Sequence, residues 1–143
     1  MNNKDTRIYK IKSYLCNIIE TITKNKKFEI NANMLSKNVN NYSLDKIPTD
    51  KVVRRWIIGV ETHRDVFSFK SRKEYSINEI NNLQNIGFFE EFEKIIKSNN
   101  DKGVLPEIDR IESIRCLNCG TMISAGANTA IFDIQIEITY REE

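Results

Sequence analysis

The sequence has a single histidine, His63, beside a predicted hairpin turn. An imidazole placed there reads as polar surface rather than as a ligand or base. No GxSxG, HExxH or GxxxxGK[ST] run occurs, so the common hydrolase, zincin and phosphate-loop signatures are absent. No apolar run approaches the ~20 residues a bilayer-spanning helix needs. The N-terminus, MNNKDTRIYK, is polar and lacks the apolar core of a signal peptide. Three cysteines cannot all pair within one chain, and a reducing, cytosolic compartment is the simpler expectation. Net charge is small, at +2.

What is present is an ordinary globular composition, 40% hydrophobic and 29% charged over 143 residues, which predicts one domain spanning 1–143 with a real core. The charge is unevenly spread. Lys4, Arg7, Lys10, Lys12, Lys24, Lys26 and Lys27 crowd the first thirty residues, and Lys51, Arg54, Arg55, Arg64, Lys70, Arg72 and Lys73 form a second basic stretch. From Glu90 onward the balance reverses, through Glu91, Glu93, Asp101, Glu107, Asp109 and Glu112 to Glu142 and Glu143. Segregation of this kind suits nucleic acid on the basic side, head-to-tail contact between copies, or merely solvated faces.

The run RCLNCG at 115–120 contains the spacing of half a zinc knuckle. A structural zinc needs four nitrogen or sulfur ligands. Beyond Cys116 and Cys119 only Cys16 and His63 remain, one expected on a helix and the other in a distant turn. A redox pair should open a helix, where the dipole lowers the thiol pKa, whereas here a strand runs into a turn. Cys116 and Cys119 are therefore weak metal candidates, and no metal or cofactor is expected. Acidic pairs such as Glu90–Glu91 sit where solvation explains them. Arg54, Arg55 and Trp56 make a basic–aromatic patch, but consecutive strand residues face opposite ways, so the two arginines do not share a surface. A small nucleic-acid- or zinc-binding module remains the alternative function; an enzyme has nothing in its favour.

Asp5 or Thr6 can cap a first helix, along which Ile8, Ile11, Leu15, Ile18, Ile19 and Ile22 form an apolar stripe, with Cys16 beside it. Residues 28–50 read mostly as loop, with a short strand in FEINANMLS. KVVRRWIIG and RDVFSFKSR read as two strands of an antiparallel hairpin turning around Gly59–Thr62. Ser76 and Glu79 form a capping box. The following Ile77, Ile80, Leu83, Ile86, Phe89 and Phe92 step by three, which a straight α-helix would wind around itself. The expectation is a short helical turn, a kink near Asn85–Gly87, and a helix to about Ser98 with Phe88, Phe89, Phe92, Ile95 and Ile96 on one face. IESIRCLNC is a strand candidate and GTMISAGANTA a turn-rich stretch. Phe132, Ile134, Ile136, Ile138 and Tyr140 alternate with polar residues, the pattern of a strand with one buried and one wet face. The fold class is α+β: an antiparallel sheet, mixed at most, with an N-terminal helix and a second helix packed on one face.

From about residue 42 onward, the order VVRRWIIG, DVFSFKSRKEYS, LQNIGFFEEFEKII, LPEIDRIESI and IFDIQIEITYRE resembles the phage minor capsid or tail-completion proteins with the tail-terminator fold. FSFKSRKEYS, LQNIGFFEEF and FDIQIEITY carry most of the likeness, which covers about two-thirds of the chain. In such proteins a strand and a polar–glycine turn precede a long closing hairpin, so the resemblance implies that CLNCG is a strand end and a turn. It also implies a non-enzymatic, structural virion protein. Its ring, typically hexameric, would cap the head-proximal end of the tail tube, stop polymerisation and join tail to neck or head. The implied partners are further copies of the chain, the tube protein, a sheath where there is one, and a neck or head-completion protein, with no membrane and no sequence-specific nucleic acid. The implied location is the host bacterial cytoplasm during assembly and then the virion or particle tail. A ring needs one heterologous contact that closes by rotation. Arg54, Arg55, Arg64 and Arg72 are the candidate basic side of that contact, and Glu90, Glu91 and Glu93 the acidic side. Ile, Asn and Lys together make roughly a third of the chain, a bias of the kind AT-rich genomes encode.

Overall fold

A computed structural model describes residues 5–24, 30–32, 35, 41–56, 58–74, 79–118, 120–126 and 128–142, with the side chains of 79–82 outside the description. The chain runs α1 (Arg7–Thr23), β1 (Ile30–Ala32), β2 (Asn41–Ile47), β3 (Val52–Arg55), β4 (Glu61–Glu74), α2 (Glu79–Lys102), β5 (Ile111–Cys116), β6 (Thr121–Ala125) and β7 (Thr129–Glu142). The fold is α+β, with one seven-stranded sheet, antiparallel except where β1 pairs parallel with β2.

The two longest strands make the frame. β4 and β7 pair over their whole lengths, from Glu61 opposite Glu142 to Glu74 opposite Thr129. Each is flanked by two short strands in succession: β3 and β2 on the outer edge of β4, β5 and β6 on that of β7. Between β2 and β3 the chain leaves the ladder at Pro48 and returns when Arg64 donates its backbone N–H to the Lys51 carbonyl, 2.7 Å away. Between β5 and β6 the Leu117 N–H reaches the Gln135 carbonyl at 2.8 Å, and the Asn118 side chain accepts from the Gln135 N–H at 2.6 Å. RCLNCG therefore spans an interruption between two edge strands. Cys116 ends β5, and Cys119 lies outside the described residues.

Both helices pack on the same face of the sheet. Ile11, Leu15, Ile18 and Ile19 of α1 and Phe88, Phe89, Phe92 and Ile96 of α2 form one cluster with Tyr42, Leu44, Phe67, Phe69, Ile114, Ile134, Ile136, Ile138 and Tyr140. Thr6 caps α1, its hydroxyl accepting from the Tyr9 N–H. α2 ends in a Schellman turn: Gly103 takes φ +76, and Val104 donates to the Asn99 carbonyl at 2.8 Å. The Tyr14 hydroxyl then donates to the Val104 carbonyl and ties that turn to α1. Rings stack in series through the core, Tyr42 on Phe69 at 5.4 Å and Phe69 on Phe92 at 5.3 Å. Lys73 lies under this layer with its ammonium 3.6 Å from the centre of the Phe88 ring, donating to the Tyr42 hydroxyl at 2.8 Å. Burial pulls its pKa down to about 7 and pushes the Tyr42 phenol up.

Several expectations are corrected here. Residues 41–47, read as loop, form β2, whose Tyr42 and Leu44 enter the core on alternate positions. The segment expected to kink near Asn85–Gly87 is helical from Glu79 to Lys102. The period of three is not one face: Phe89 and Phe92 are buried, while Leu83 and Ile86 are more than half exposed. The buried row is Asn85, Phe88, Phe89, Phe92 and Ile96, a regular helical spacing. The capping box and Ile77 lie outside the described residues, as do the side chains of Glu79 and Ile80. GTMISAGANTA holds strand β6 as well as a turn.

Candidate functional site

On the face away from the helices the sheet is polar and tightly cross-linked. Glu137, only 3% exposed, accepts from Arg115 at 2.8 Å on one side and lies 3.4 Å from Arg64 on the other. Lys70 reaches Asp45 at 3.1 Å, and Ser68 donates to Asp133. The alternation of β7 is as expected, but the centre of its polar face is enclosed by these cross-strand pairs. A carboxylate this buried is tolerated because two guanidinium groups surround it.

At the Glu61 end of β4 a second polar group anchors α1. Asp65, 1% exposed, takes the Arg7 guanidinium at 2.7 Å and the Tyr140 hydroxyl at 3.3 Å. The Arg7 guanidinium lies over the Tyr140 ring. Burial, reinforced by Asp65, pushes the Tyr140 phenol up to about 12. His63 lies next to this group, its side chain 12% exposed, with Glu61 at 2.9 Å and Glu142 at 3.2 Å from its ring nitrogens. The hydrogen bond with His63 holds the Glu61 carboxyl below its ordinary value. His63 is thus a strand residue wedged between two carboxylates, not the polar loop surface its position suggested.

The β3–β4 hairpin projects beyond these anchors. The Trp56 N–H bonds to the Val60 carbonyl at 2.8 Å, and Gly59 turns the chain at φ +88, a conformation open to glycine at no steric cost. The tip is apolar and exposed, with Val53 at 55%, Trp56 at 37% and Ile58 at 85%. The guanidinium groups of Arg54 and Arg141 lie over the Trp56 ring, at 5.1 and 5.3 Å from its centre, and the indole N–H donates to Thr62. Arg55 pairs instead with Glu61 at 3.1 Å, so the two neighbouring arginines do have different surroundings. These contacts give a large aromatic side chain three partners at an exposed tip.

The acidic candidates lie on α2, which starts at the other end of the sheet and runs back toward its middle, where Glu93 lies level with Cys116 and Phe67. The Asn85 amide donates to the Glu74 carbonyl at 2.8 Å, which fixes the first half of α2 at the far end of β4. Leu83, Ile86 and Glu90 share one outward row of the helix with Glu91 beside it, all exposed. Glu93 is half-buried beside Lys97, Asn100 and Arg115.

Of the basic candidates, Arg54 and Arg55 flank the exposed tip, whereas Arg64 and Arg72 are half-buried and bonded within the sheet, to Glu137 and to Thr129. Cys16 is half-buried on α1, and burial raises its thiol pKa. Among the described residues no three His, Cys, Asp or Glu side chains converge on a metal-sized site. Among them too, no helix is long and apolar enough to cross a membrane. Leu83 and Ile86 escaped the sequence reading because they share a run with the core residues Phe88, Phe89 and Phe92, and Val53 and Ile58 because a run dense in β-branched residues reads simply as a strand. No protein-family model matches the chain, and no curated protein matches it in sequence.

Proposed function

We propose that this chain is a structural protein that forms a ring at the head-proximal end of a phage or phage-like tail, ending tube polymerisation and joining tail to neck or head. Its work in this reading is architectural. It catalyses no reaction and holds no cofactor, and its partners are further copies of itself, the tube protein, a sheath where there is one, and a neck or head-completion protein. It assembles in the host cytoplasm and ends in the particle.

The observation that carries the reading is polarity. A basic, apolar-tipped hairpin stands at one end of a long β4–β7 frame, and an exposed α2 face begins at the other with Leu83 and Ile86 and continues inward to Glu90 and Glu91. Surfaces of opposite character at opposite ends cannot satisfy each other within one chain. They suit a heterologous contact repeated from copy to copy, which generates rings when the rotation closes. The motif order in residues 42–143 supports the same reading. Gold-labelled antibody against an epitope-tagged chain tests it on purified particles. Label should fall at the head-proximal tail end alone; particles devoid of label, or labelled along the tube, would contradict it.

A further inference from the structure

The sheet separates two exposed patches that have matching chemistry. We propose that the hairpin tip, presenting Val53, Arg54, Trp56 and Ile58, docks on the outward face of α2, presenting Leu83, Ile86, Glu90 and Glu91, of a second copy of this chain.

Three observations select that occupant. Both patches pair large exposed apolar side chains with charge, and the charges nearest those side chains are opposite in sign: Lys51 and Arg54 at the tip, Glu90 and Glu91 on the helix, with Lys94 one turn beyond. Contacts of this composition, an aromatic and an arginine among aliphatic residues, concentrate binding energy. The tip is also stiffened before binding, because Trp56 is held by two guanidinium groups and by Thr62. Little side-chain entropy is then lost on docking. Finally, the patches cannot meet within a chain. The tip continues from Glu61, whereas α2 is tied to Glu74, and fourteen extended residues between them span roughly 40 Å. The contact deepens the ring reading and rests on it only for closure. Arg55 is excluded from the charge match because Glu61 already faces it, and Glu93 because it is turned toward β5.

Two variants separate the halves. R54E/I58D spoils the tip and I86Q/E90Q spoils the helix face without creating a reversed charge match between the two spoiled surfaces, and all four positions are exposed, so the fold should survive in each. The helix variant keeps a good tip and the tip variant keeps a good helix, so a mixture can make one contact per pair and no more. NMR spectra of the 15N-labelled helix variant are recorded with increasing unlabelled tip variant, to about 1 mM, a range that detects even millimolar affinity. The expected result is saturable amide shifts confined to residues 51–60. With the labels exchanged, they should be confined to residues 83–91. Either variant titrated with unlabelled protein of its own kind should show binding at least tenfold weaker. No shifts in either labelling, or shifts elsewhere in the sheet, would overturn the contact. The ring reading fails separately: unmodified protein that makes this contact but grows only into dimers or open fibres would retain the docking and lose the ring. Rings that form while the mixture shows no shifts would do the reverse.

Discussion

Lys73 is a charged residue placed where charge is costly. Its side chain is 5% exposed beneath Tyr42 and Phe88, and desolvation lowers its pKa from 10.5 to about 7. Below pH 7 both folded and unfolded chains carry the proton, and the burial penalty is present in full. Between pH 7 and 10.5 the unfolded chain holds a proton that the native one has lost, so native stability rises with pH through that window. The size is on the order of a few kcal/mol, partly set off by the hydrogen bond to Tyr42 and the contact with the Phe88 ring. Lys73→Met should flatten the rise, and urea unfolding of both proteins at pH 6 to 10 measures it. A pH profile parallel to that of the unmodified chain would show that Lys73 is not desolvated as described. The sequence gives no warning of such a burial, since Lys73 sits among Lys70, Arg72 and Glu74 in what reads as a charged strand end.

At the scale of elements, strong periodic patterns were legible and composite ones were not. β7 announces itself because five apolar residues alternate without a break, and α1 because its stripe is a single helical face. α2 misleads because two sets of apolar residues overlap. The core takes Phe88, Phe89, Phe92 and Ile96, while Leu83 and Ile86 face outward, and read together they mimic a period of three. β2 was hidden because Asn41, Ser43, Asp45 and Lys46 surround its two core residues, and pairing with β4 and β1 makes a strand of it. The glycine of RCLNCG was legible as a turn residue, but its reason is packing. A Cβ on Gly120 would run into the face of the Phe89 ring, which is buried against Phe132. Gly120→Ala should therefore destabilise the protein by about 1–3 kcal/mol, the usual cost of overpacking. Chemical denaturation measures this, and an unchanged midpoint would mean that the β5–β6 interruption yields freely to α2.

For the whole molecule, what matters is that a sheet framed by two fourteen-residue strands holds its distinctive surfaces far apart. The charge asymmetry that suggests this was visible in the sequence. Which charges are available to a partner was not, because Arg64, Arg115 and Glu137 satisfy one another across strands distant in sequence. Once those are set aside, the exposed hairpin and the α2 face can be matched as a pair, while Val104, Leu117, Met122 and Ile123 are exposed elsewhere. The most direct test of the account is tail length in particles from which this chain has been deleted, measured by electron microscopy. The account predicts overlong or irregular tubes without heads, restored to uniform length when the chain is supplied from a plasmid. Tails of normal length in the deletion, whether loose or joined to heads, would contradict a role in ending the tube.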